Sequence, residues 1–316
     1  MSTEKMLLPW GVSALQQLFS RVKINSNQLV PNWLNQYFPG QQRIQPHKRA
    51  DKGHVYLIGA GPGDAELLTL KAHRLIQQAD VVMYDWLVNP DIINMIPSHV
   101  ERVFVGKKCG QHSMQQADIC QLMLDVALTG KNIVRLKGGD PAIFARAAEE
   151  CEILAKHQID FAIVPGITAA SGASAYAGIP LTHRECAQSV RFITAHLKSA
   201  SDEPNWQALV AGASASHSAN NGETLVFYMG LKRIDTIMQR LETHGLPAST
   251  PVAVIDQAST TQQQVCVGTL QNIAQRVTEQ NFQGPAVTIV GEVVNKRHEV
   301  NLSLLSQSVN ALSVGT

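Results

Sequence analysis

The sequence predicts an α/β protein of two consecutive α/β domains, and three observations support this. From Val55 onward, short apolar runs rich in β-branched residues alternate with segments of helical period. The first run ends in the glycine-rich turn Gly59-Ala-Gly-Pro-Gly-Asp64. After the small-residue stretch from Thr168 to Gly178, a second series of strands begins. Alternation of this kind is typical of largely parallel sheets covered by helices.

The elements follow from these periods. In the first domain we expect strands near 55–58, 81–84, 133–136 and 161–164, with helices near 65–78, 115–128 and 145–156. In the second domain we expect strands near 191–194, 224–228, 252–255 and 287–290. The resulting boundaries are 1–52 for an N-terminal extension and linker, 53–175 and 176–302 for the two domains, and 303–316 for a tail.

Two segments differ from this pattern. The extension is rich in Gln and Asn, and its apolar residues at 15–22 and 33–38 have helical spacing, which predicts two short amphipathic helices. We expect the extension to dock onto the main body or onto a partner chain. The Ser, Gly and Asn run at 211–222 predicts a mobile surface loop.

Composition limits the class of protein. The 316 residues are 45% hydrophobic, enough for a large core, and 26 Lys and Arg against 25 Asp and Glu give no reason to expect nucleic acid as a partner. The five cysteines lack C-x-x-C spacing, which argues against a metal cluster or a disulfide framework and favours a reducing compartment. Neither a membrane span nor a secretory signal is predicted, so we expect a cytoplasmic protein.

The glycine-rich turn predicts a small-molecule site. Glycines permit tight turns and a close approach of backbone to a ligand, and Asp64 can cap the helix that follows. The turn departs from the dinucleotide pattern G-x-G-x-x-G because Asp64 replaces its third glycine. A nicotinamide-dependent oxidoreductase therefore remains a weaker alternative, with only Asp80 or Asp85 available to hold a ribose.

Four further segments, at 84–88, 135–141, 164–170 and 178–184, add glycines and polar residues, mostly just after a predicted strand. Ligands of open α/β sheets bind beyond the carboxyl ends of the strands. The segments therefore predict one shared crevice and not a set of unrelated turns.

Taken together, these segments resemble the tetrapyrrole methylases, over a length from about Gly53 to about Val294. The motifs that carry the resemblance are Gly59–Asp64, Leu67–Leu70, Tyr84-Asp85, Val105–Lys107, His112-Ser113, Arg135–Pro141, Val164–Gly166, Tyr176–Arg184, Phe227–Gly230 and Gly284–Ala286. The resemblance implies two α/β domains with S-adenosylmethionine (SAM) in the cleft between them, in a homodimer.

The resemblance also implies a set of cofactor contacts. These are Pro62, Gly138, Gly139, Asp140, Ile143, Thr168, Ala169, Met229 and Ala258. Glycine lets the main chain approach a ligand, Asp140 offers hydrogen-bond acceptors, and a Met229 side chain can pack on an adenine ring. Without the resemblance, Met229 would be interpreted as a core residue.

Among the tetrapyrrole methylases, the motifs are most similar to those of enzymes that convert uroporphyrinogen III to precorrin-2 through precorrin-1. Such a substrate carries eight carboxylates, so the site needs cations, and arginine can bind a carboxylate at two points. The resemblance assigns Arg146 with Glu149 as a site pair, and Arg184 with Met229 to substrate binding. We expect Lys108 and Arg191 to be solvated surface charges.

In the implied reaction a pyrrole carbon of the substrate takes the methyl group of SAM and then loses a proton, twice. The resemblance makes Asp85 the proton acceptor and Lys107 the proton donor, with Arg146 as another candidate base. A guanidinium with a pKa above about 12 is a poor base, so we expect Arg146 to position a carboxylate. The residues alone also allow Asp85 to be a turn cap, and the Arg146–Glu149 spacing to be a simple ion pair.

The sequence departs from the family pattern at several positions. Alanines surround Arg146 where glycines are usual, Trp86 follows Asp85, and Ala258 replaces a common glycine. Two alternatives therefore stay open: a methyltransferase of the same fold with another acceptor, such as a later corrin precursor, diphthine or ribosomal RNA, or a catalytically weakened tetrapyrrole-binding protein. The product would serve sirohaem, cobalamin or haem d1 synthesis, with oxidation and metal insertion expected to fall to other proteins.

Overall fold

The computed structural model describes residues 52–106, 114–196, 203–214 and 222–305. Lys107, Lys108, the motif at 112–113, the two helices expected in the extension and most of the tail lie outside the described residues. The chain divides into two compact units. The first contains Thr69–Lys137, Ala145–Pro165 and the chain up to Ile58, and the second contains Gly59–Leu68, Gly138–Phe144 and the chain from Gly166 onward.

The described part of the first unit is a five-stranded sheet with four α-helices. Its strands are β1 (Val55–Gly59, whose last residue belongs to the second unit), β2 (Val81–Tyr84), β3 (Glu101–Phe104), β4 (Ile133–Lys137) and β5 (Phe161–Val164). Its helices are α1 (Leu70–Gln77), α2 (Pro90–Asn94), α3 (Gln116–Leu128) and α4 (Ala147–Lys156). The strand order is β3-β2-β4-β1-β5, and β2 pairs in parallel with both β3 and β4.

The described part of the second unit is a five-stranded mixed sheet with four α-helices. Its strands are β6 (Ser189–Thr194), β7 (Glu223–Tyr228), β8 (Pro251–Asp256), β9 (Gln264–Thr269) and β10 (Ala286–Val290). Its helices are α5 (Ala169–Ala177), α6 (Trp206–Ser214), α7 (Ile234–Thr243) and α8 (Ile273–Glu279), with short 3₁₀ turns at Ala65–Leu67, Leu231–Arg233, Glu292–Lys296 and Leu302–Leu304. The order is β6-β7-β10-β8-β9, with β6 and β7 parallel and the other pairs antiparallel.

Both faces of the second sheet are buried. Side chains alternate along a strand, so Leu225 and Phe227 of β7 join one apolar cluster, while Val226 and Tyr228 join another. The first cluster packs under α6, α7 and α8, and the second contains the buried alanines of α5. Small residues in α5 therefore serve close packing of this helix on the sheet.

All eight predicted strands are confirmed. The strands β3 and β9 were not predicted, because their sequences mix charged or polar residues with apolar ones and their burial alternates or is partial. The helix expected at 65–78 is wrong as a single element. It is a 3₁₀ turn capped by Asp64, followed by α1, whose N-cap Thr69 accepts a hydrogen bond from the backbone of Ala72.

The loop expected at 211–222 is only partly described. Residues 211–214 of the expected surface loop form the end of α6, and 215–221 lie outside the described residues. In the described part of the chain, no helix has the length and apolar character needed to cross a membrane.

Candidate active site

Three loops of the second unit meet through glycines. A Cβ on Gly59 would lie 2.6 Å from the carbonyl oxygen of Gly139 and from the Cα of Gly166, and a Cβ on Gly166 would lie 2.4 Å from that same oxygen. Gly61 and Gly139 exchange backbone hydrogen bonds of 3.1 and 2.7 Å. Gly59 and Gly166 thus pack on the protein's own backbone, where any side chain would force the loops apart.

Pro62 and Gly63 extend this packing to two other segments. A Cβ on Gly172, in α5, would lie 2.4 Å from the Cγ of Pro62, so the proline ring sits directly on the helix. A Cβ on Gly63 would lie 2.8 Å from the carbonyl oxygen of Ala258. The glycine-rich turn is therefore held between α5 and the loop that follows β8.

Asp140 holds two neighbouring loops in place. Its Oδ1 accepts a hydrogen bond of 2.7 Å from the backbone of Ala142, and its Oδ2 accepts one of 2.9 Å from the backbone of Gly166. The amide of Ile143 in turn donates to the carbonyl oxygen of Asp140. Each carboxylate oxygen retains acceptor capacity for a ligand hydroxyl or amine.

Tyr228 connects the end of β7 to the start of α5. Its hydroxyl lies 2.7 Å from the Oγ1 of Thr168, the N-cap of α5, and accepts a hydrogen bond from the backbone of Ala170. Burial raises the pKa of Tyr228, with the bond to Thr168 acting in the opposite direction, so the hydroxyl keeps its proton. The ring of Phe144 packs edge-on against Tyr228 with centroids 5.1 Å apart.

The side chain of Met229 and the backbone of Gly139 are accessible to a ligand. Met229 has a φ of 57° and a half-exposed side chain (51%), an uncommon combination for a large apolar residue. A Cβ on Gly139 would have one neighbour within 4 Å, the amide nitrogen of Ala169 at 3.7 Å. Open space therefore lies beside Gly139 and the first turn of α5. A thioether for an adenine ring, an open glycine backbone and carboxylate acceptors fit the chemistry of SAM.

A closed circuit of four hydrogen bonds surrounds the glycine-rich turn. The amide of Asp64 donates to the Oγ of Ser259, and the amide of Ser259 donates to the Oε1 of Gln263. The Nε2 of Gln263 donates to the carbonyl oxygen of Tyr176, and the Tyr176 hydroxyl donates to the Oδ2 of Asp64. Asp64 caps the 3₁₀ turn through its other oxygen. The circuit fixes the loop carrying Ala258 against both the turn and α5.

All nine residues expected to contact the cofactor lie in the second unit, and they are joined by the contacts above or by adjacency along the chain. Gly138 and Gly139 join Asp140 and Ile143 on one segment, while Thr168 and Ala169 start α5. The group also contains Pro62, Met229 and Ala258.

Asp85 lies in the first unit, directly after β2. Its Oδ1 accepts a hydrogen bond from the backbone of Leu87, so it caps a turn, and its Oδ2 lies 3.2 Å from a guanidinium nitrogen of Arg135. The carboxylate remains one-fifth exposed. Trp86 projects a largely exposed indole next to it.

Arg135 belongs to a buried network of charges. Glu150, on α4, is fully buried and accepts hydrogen bonds from Arg135 at 3.3 Å, from Lys137 at 2.8 and 2.9 Å, and from Gln116 at 3.2 Å. Burial, reinforced by the neighbouring Arg135, lowers the pKa of Lys137, while Glu150 opposes that shift. Both cations and both carboxylates therefore compensate one another inside the unit.

Arg146 and Glu149 form the ion pair that their spacing allows. Two guanidinium nitrogens of Arg146 lie 2.8 and 2.7 Å from the two carboxylate oxygens of Glu149, and both side chains are about half exposed. Arg146 has a φ of 58° and precedes the first turn of α4 as its N-cap. The hydrogen bonds that Arg146 donates to Glu149 raise the pKa of Arg146 above its ordinary value, which makes it a still poorer base.

Two other cations differ in their surroundings. Arg184 is exposed in the turn between the paired residues His183 and Ala187. Arg191, expected as a solvated surface charge, is 40% exposed and pairs with Glu223 at 2.9 Å.

The family comparison decides the class of the protein. The sequence profile of the family described as Tetrapyrrole (Corrin/Porphyrin) Methylases matches residues 54–274. The chain belongs to this family. The predicted family and the α/β fold class are thus confirmed, and the comparisons support a SAM-dependent methyltransferase in place of a nicotinamide-dependent oxidoreductase.

Individual relatives agree with the family assignment. A siroheme synthase of Pseudomonas aeruginosa (strain LESB58) is 52% identical over 248 residues, which are 78% of this chain and 51% of that protein. The chain thus spans about half the length of the curated relatives it matches. The solved uroporphyrin-III C-methyl transferase of Thermus thermophilus, complexed with S-adenyl homocysteine, is 36% identical with a TM-score of 0.65, covering 77% of this chain and 99% of that one.

A solved cobalt precorrin-4 methyltransferase, described as a cobalamin biosynthetic enzyme, has the same TM-score of 0.65 at 28% identity. It covers 76% of this chain and 95% of its own. Overall similarity of fold therefore does not by itself select the acceptor of the methyl group.

Several residues that shape the site were not predicted. The sequence places Tyr228 and Tyr176 within motifs but indicates no role for either of them, nor for Glu150. The need for a buried anion was visible in the sequence. Arg135 and Lys137 are two residues apart in a buried strand, so they lie on the same face and require a negatively charged partner such as Glu150. No local pattern indicates the partners of the two tyrosines.

Proposed function

We propose that this protein is a SAM-dependent C-methyltransferase that converts uroporphyrinogen III to precorrin-2 by two successive methylations, through precorrin-1. The observation that carries the proposal is the grouping of all nine expected cofactor residues within the second unit. Their neighbours explain that grouping physically, because glycines at 59, 139 and 166 allow the loops to pack backbone against backbone.

The proposed cofactor site uses backbone more than charge. Asp140 would accept hydrogen bonds from ligand hydroxyls, Met229 would pack on the adenine, and the open backbone at Gly139 and Ala169 would meet the polar part of the ligand. When bound, SAM supplies the methyl group. The protein orients it and excludes water from its surroundings.

Proton handling is proposed for the first unit. Asp85 would accept the proton released from the methylated pyrrole carbon, because its carboxylate is partly exposed and held by donors at both oxygens. Lys107 is proposed as the proton donor. Neither residue acts as a nucleophile, since the electron-rich macrocycle supplies the attacking carbon.

Carboxylate binding is proposed for Arg146 and Arg184. Arg146 presents a planar guanidinium at the surface, aligned by Glu149 and permanently charged. Glu149 binds Nε and one terminal nitrogen of Arg146 and so holds the guanidinium in one orientation. A substrate carboxylate would bind the remaining N–H groups of this positioned guanidinium. Arg184 would bind a second carboxylate.

The assembly and location are also proposals. We propose a cytoplasmic homodimer in sirohaem, cobalamin or haem d1 synthesis. The cysteines support a reducing compartment, because Cys120, Cys151, Cys186 and Cys266 are all free in the described part of the chain. Sedimentation analysis of the purified protein tests the dimer.

The proposal is tested by anaerobic incubation of the purified protein with uroporphyrinogen III and SAM bearing a deuterated methyl group, followed by mass spectrometry of the tetrapyrrole. Two labelled methyl groups per macrocycle are expected, with a singly labelled species at early times. SAM affinity is measured in parallel by calorimetry.

The same experiment separates the alternatives. SAM binding without label in the tetrapyrrole contradicts the proposal and favours another acceptor. Binding of the tetrapyrrole with no consumption of SAM instead favours a binding protein, for which the exposed Trp86 would be a stacking surface.

A further inference from the structure

We propose that Arg135 is a positioning residue of the reaction: it fixes the carboxylate of Asp85 in its working orientation and is itself anchored by the buried Glu150. The inference rests on the proposed function, in which Asp85 accepts the proton. Arg135 would therefore affect the reaction rate without touching the reacting atoms.

The guanidinium of Arg135 donates in three directions. One terminal nitrogen donates to the carbonyl oxygen of Leu136 at 2.7 Å, the other lies 3.2 Å from the Oδ2 of Asp85, and Nε lies 3.3 Å from the Oε1 of Glu150. The side chain is 3% exposed. Only the planar fork of arginine can reach three acceptors in different directions with fixed geometry.

Sheet pairing places Arg135 where it can reach Asp85. Met83 of β2 lies opposite Arg135 of β4, and Asp85 follows two residues later, directly after the end of β2. The backbone of Leu87 occupies the other carboxylate oxygen. Two donors from different segments therefore hold Asp85, and loss of Arg135 leaves only the local turn.

The remainder of the network holds Arg135. Glu150 is fully buried and lies between Arg135 and Lys137, with Gln116 of α3 as a fourth member. Among the described residues, Arg135 contacts Asp85 directly and Lys137 also interacts electrostatically with it, while the Cys120 thiol lies near Glu150.

Stability alone gives little reason for such a network. Burying the three charged groups of Arg135, Lys137 and Glu150 carries a large desolvation cost, and apolar residues of similar volume are often equally stable. Catalysis gives a better reason. Small displacements of a catalytic group lower the rate steeply, so the reaction benefits when a rigid cationic network holds the Asp85 carboxylate in place.

The test compares Arg135→Gln with the matched control Lys137→Gln. Each removes one cation from Glu150 and leaves the other, but only the first removes a contact of Asp85. We expect Arg135→Gln to lower kcat about 10- to 100-fold with SAM affinity within about twofold of the unchanged protein. Lys137→Gln lowers the melting temperature to a similar degree and retains kcat within about threefold.

A double-mutant cycle identifies the route of the effect. If Arg135 acts through Asp85, Arg135→Gln lowers kcat no further in an Asp85→Asn background. Additive losses, or an equal loss of kcat in Lys137→Gln, overturn the inference.

A readout without substrate keeps the inference separate from the proposed function. In crystals of Arg135→Gln we expect the Asp85 carboxylate to turn away from its present position, and an unchanged carboxylate contradicts the inference. Failure of the unmutated protein to methylate uroporphyrinogen III contradicts the proposed function, while the crystallographic comparison still decides whether Arg135 orients Asp85.

Discussion

The hydroxyl of Tyr176 donates a hydrogen bond of 2.6 Å to the Oδ2 of Asp64, and this bond ties α5 to the glycine-rich turn. It closes the circuit that continues through Ser259 and Gln263. The four residues of the circuit are not among the expected cofactor contacts, but they join the segments that carry those contacts. We therefore expect the circuit to link the stability of the second unit to cofactor affinity.

Tyr176→Phe opens this circuit with little change in volume. We expect a loss of about 1 kcal/mol in the free energy of unfolding, typical of one hydrogen bond, and weaker SAM binding because the loop carrying Ala258 is less constrained. Calorimetric titration and urea denaturation measure both effects. Tyr56→Phe, in the first unit, is the matched control and should leave SAM affinity unchanged.

Alkaline stability should also depend on Tyr176. Burial, and then its bond to Asp64, raises the pKa of Tyr176 well above its ordinary value of about 10. The unfolded chain therefore ionises first, so the stabilisation is fully present below about pH 10 and is lost as pH rises toward the folded-state pKa. Denaturation curves above about pH 10 should fall less steeply for Tyr176→Phe, and identical slopes would contradict this prediction.

Gly172→Ala tests the contact between α5 and Pro62. The added Cβ would lie 2.4 Å from the proline Cγ, so the helix or the turn must shift. We expect a loss of about 1–3 kcal/mol in stability, typical of overpacking, and about tenfold weaker SAM binding, equivalent to about 1.4 kcal/mol. The exposed neighbour gives the control Ser171→Ala, in which affinity and stability stay close to those of the unchanged protein.

Met229→Asn separates function from stability. A φ of 57° is unfavourable for methionine and tolerated by asparagine, so we expect the free energy of unfolding to stay constant or to rise by up to about 1 kcal/mol. SAM affinity should fall, because the thioether is lost. Gln158→Asn, at a φ of 54° in the first unit, is expected to give a similar change in stability without any effect on affinity.

Arg146→Ala should abolish methyl transfer while SAM binding stays measurable. The Arg146–Glu149 pair is about half exposed, so its loss should change stability by less than about 1 kcal/mol. Turnover of uroporphyrinogen III is the measurement, with Arg74→Ala on the exposed face of α1 as the control. Near-normal turnover in Arg146→Ala would remove this residue from the proposed site.

Buried strands could be predicted from the sequence because they are short continuous apolar runs, as in Val81–Tyr84 and Pro251–Asp256. The strand Glu101–Phe104 could not, since two of its four residues are charged and its pairing with β2 supplies the missing stabilisation. The sequence also indicated that Gly59 must be a glycine. It could not indicate the reason, because the backbone that approaches Gly59 belongs to Gly139 and Gly166, in distant parts of the chain.

The sequence by itself determined the family, the fold class, the residues expected at the cofactor site and the spacing of Arg146 and Glu149, because each depends on order and composition within short segments. Only the tertiary structure decided which groups hold those residues: Tyr228 against Thr168, Tyr176 against Asp64, and Arg135 between Asp85 and Glu150. These partners lie far apart in sequence. The register of the sheets and the packing of the helices bring them within hydrogen-bond distance, and at most a local pattern shows that a buried cation needs an anion, not which residue supplies it.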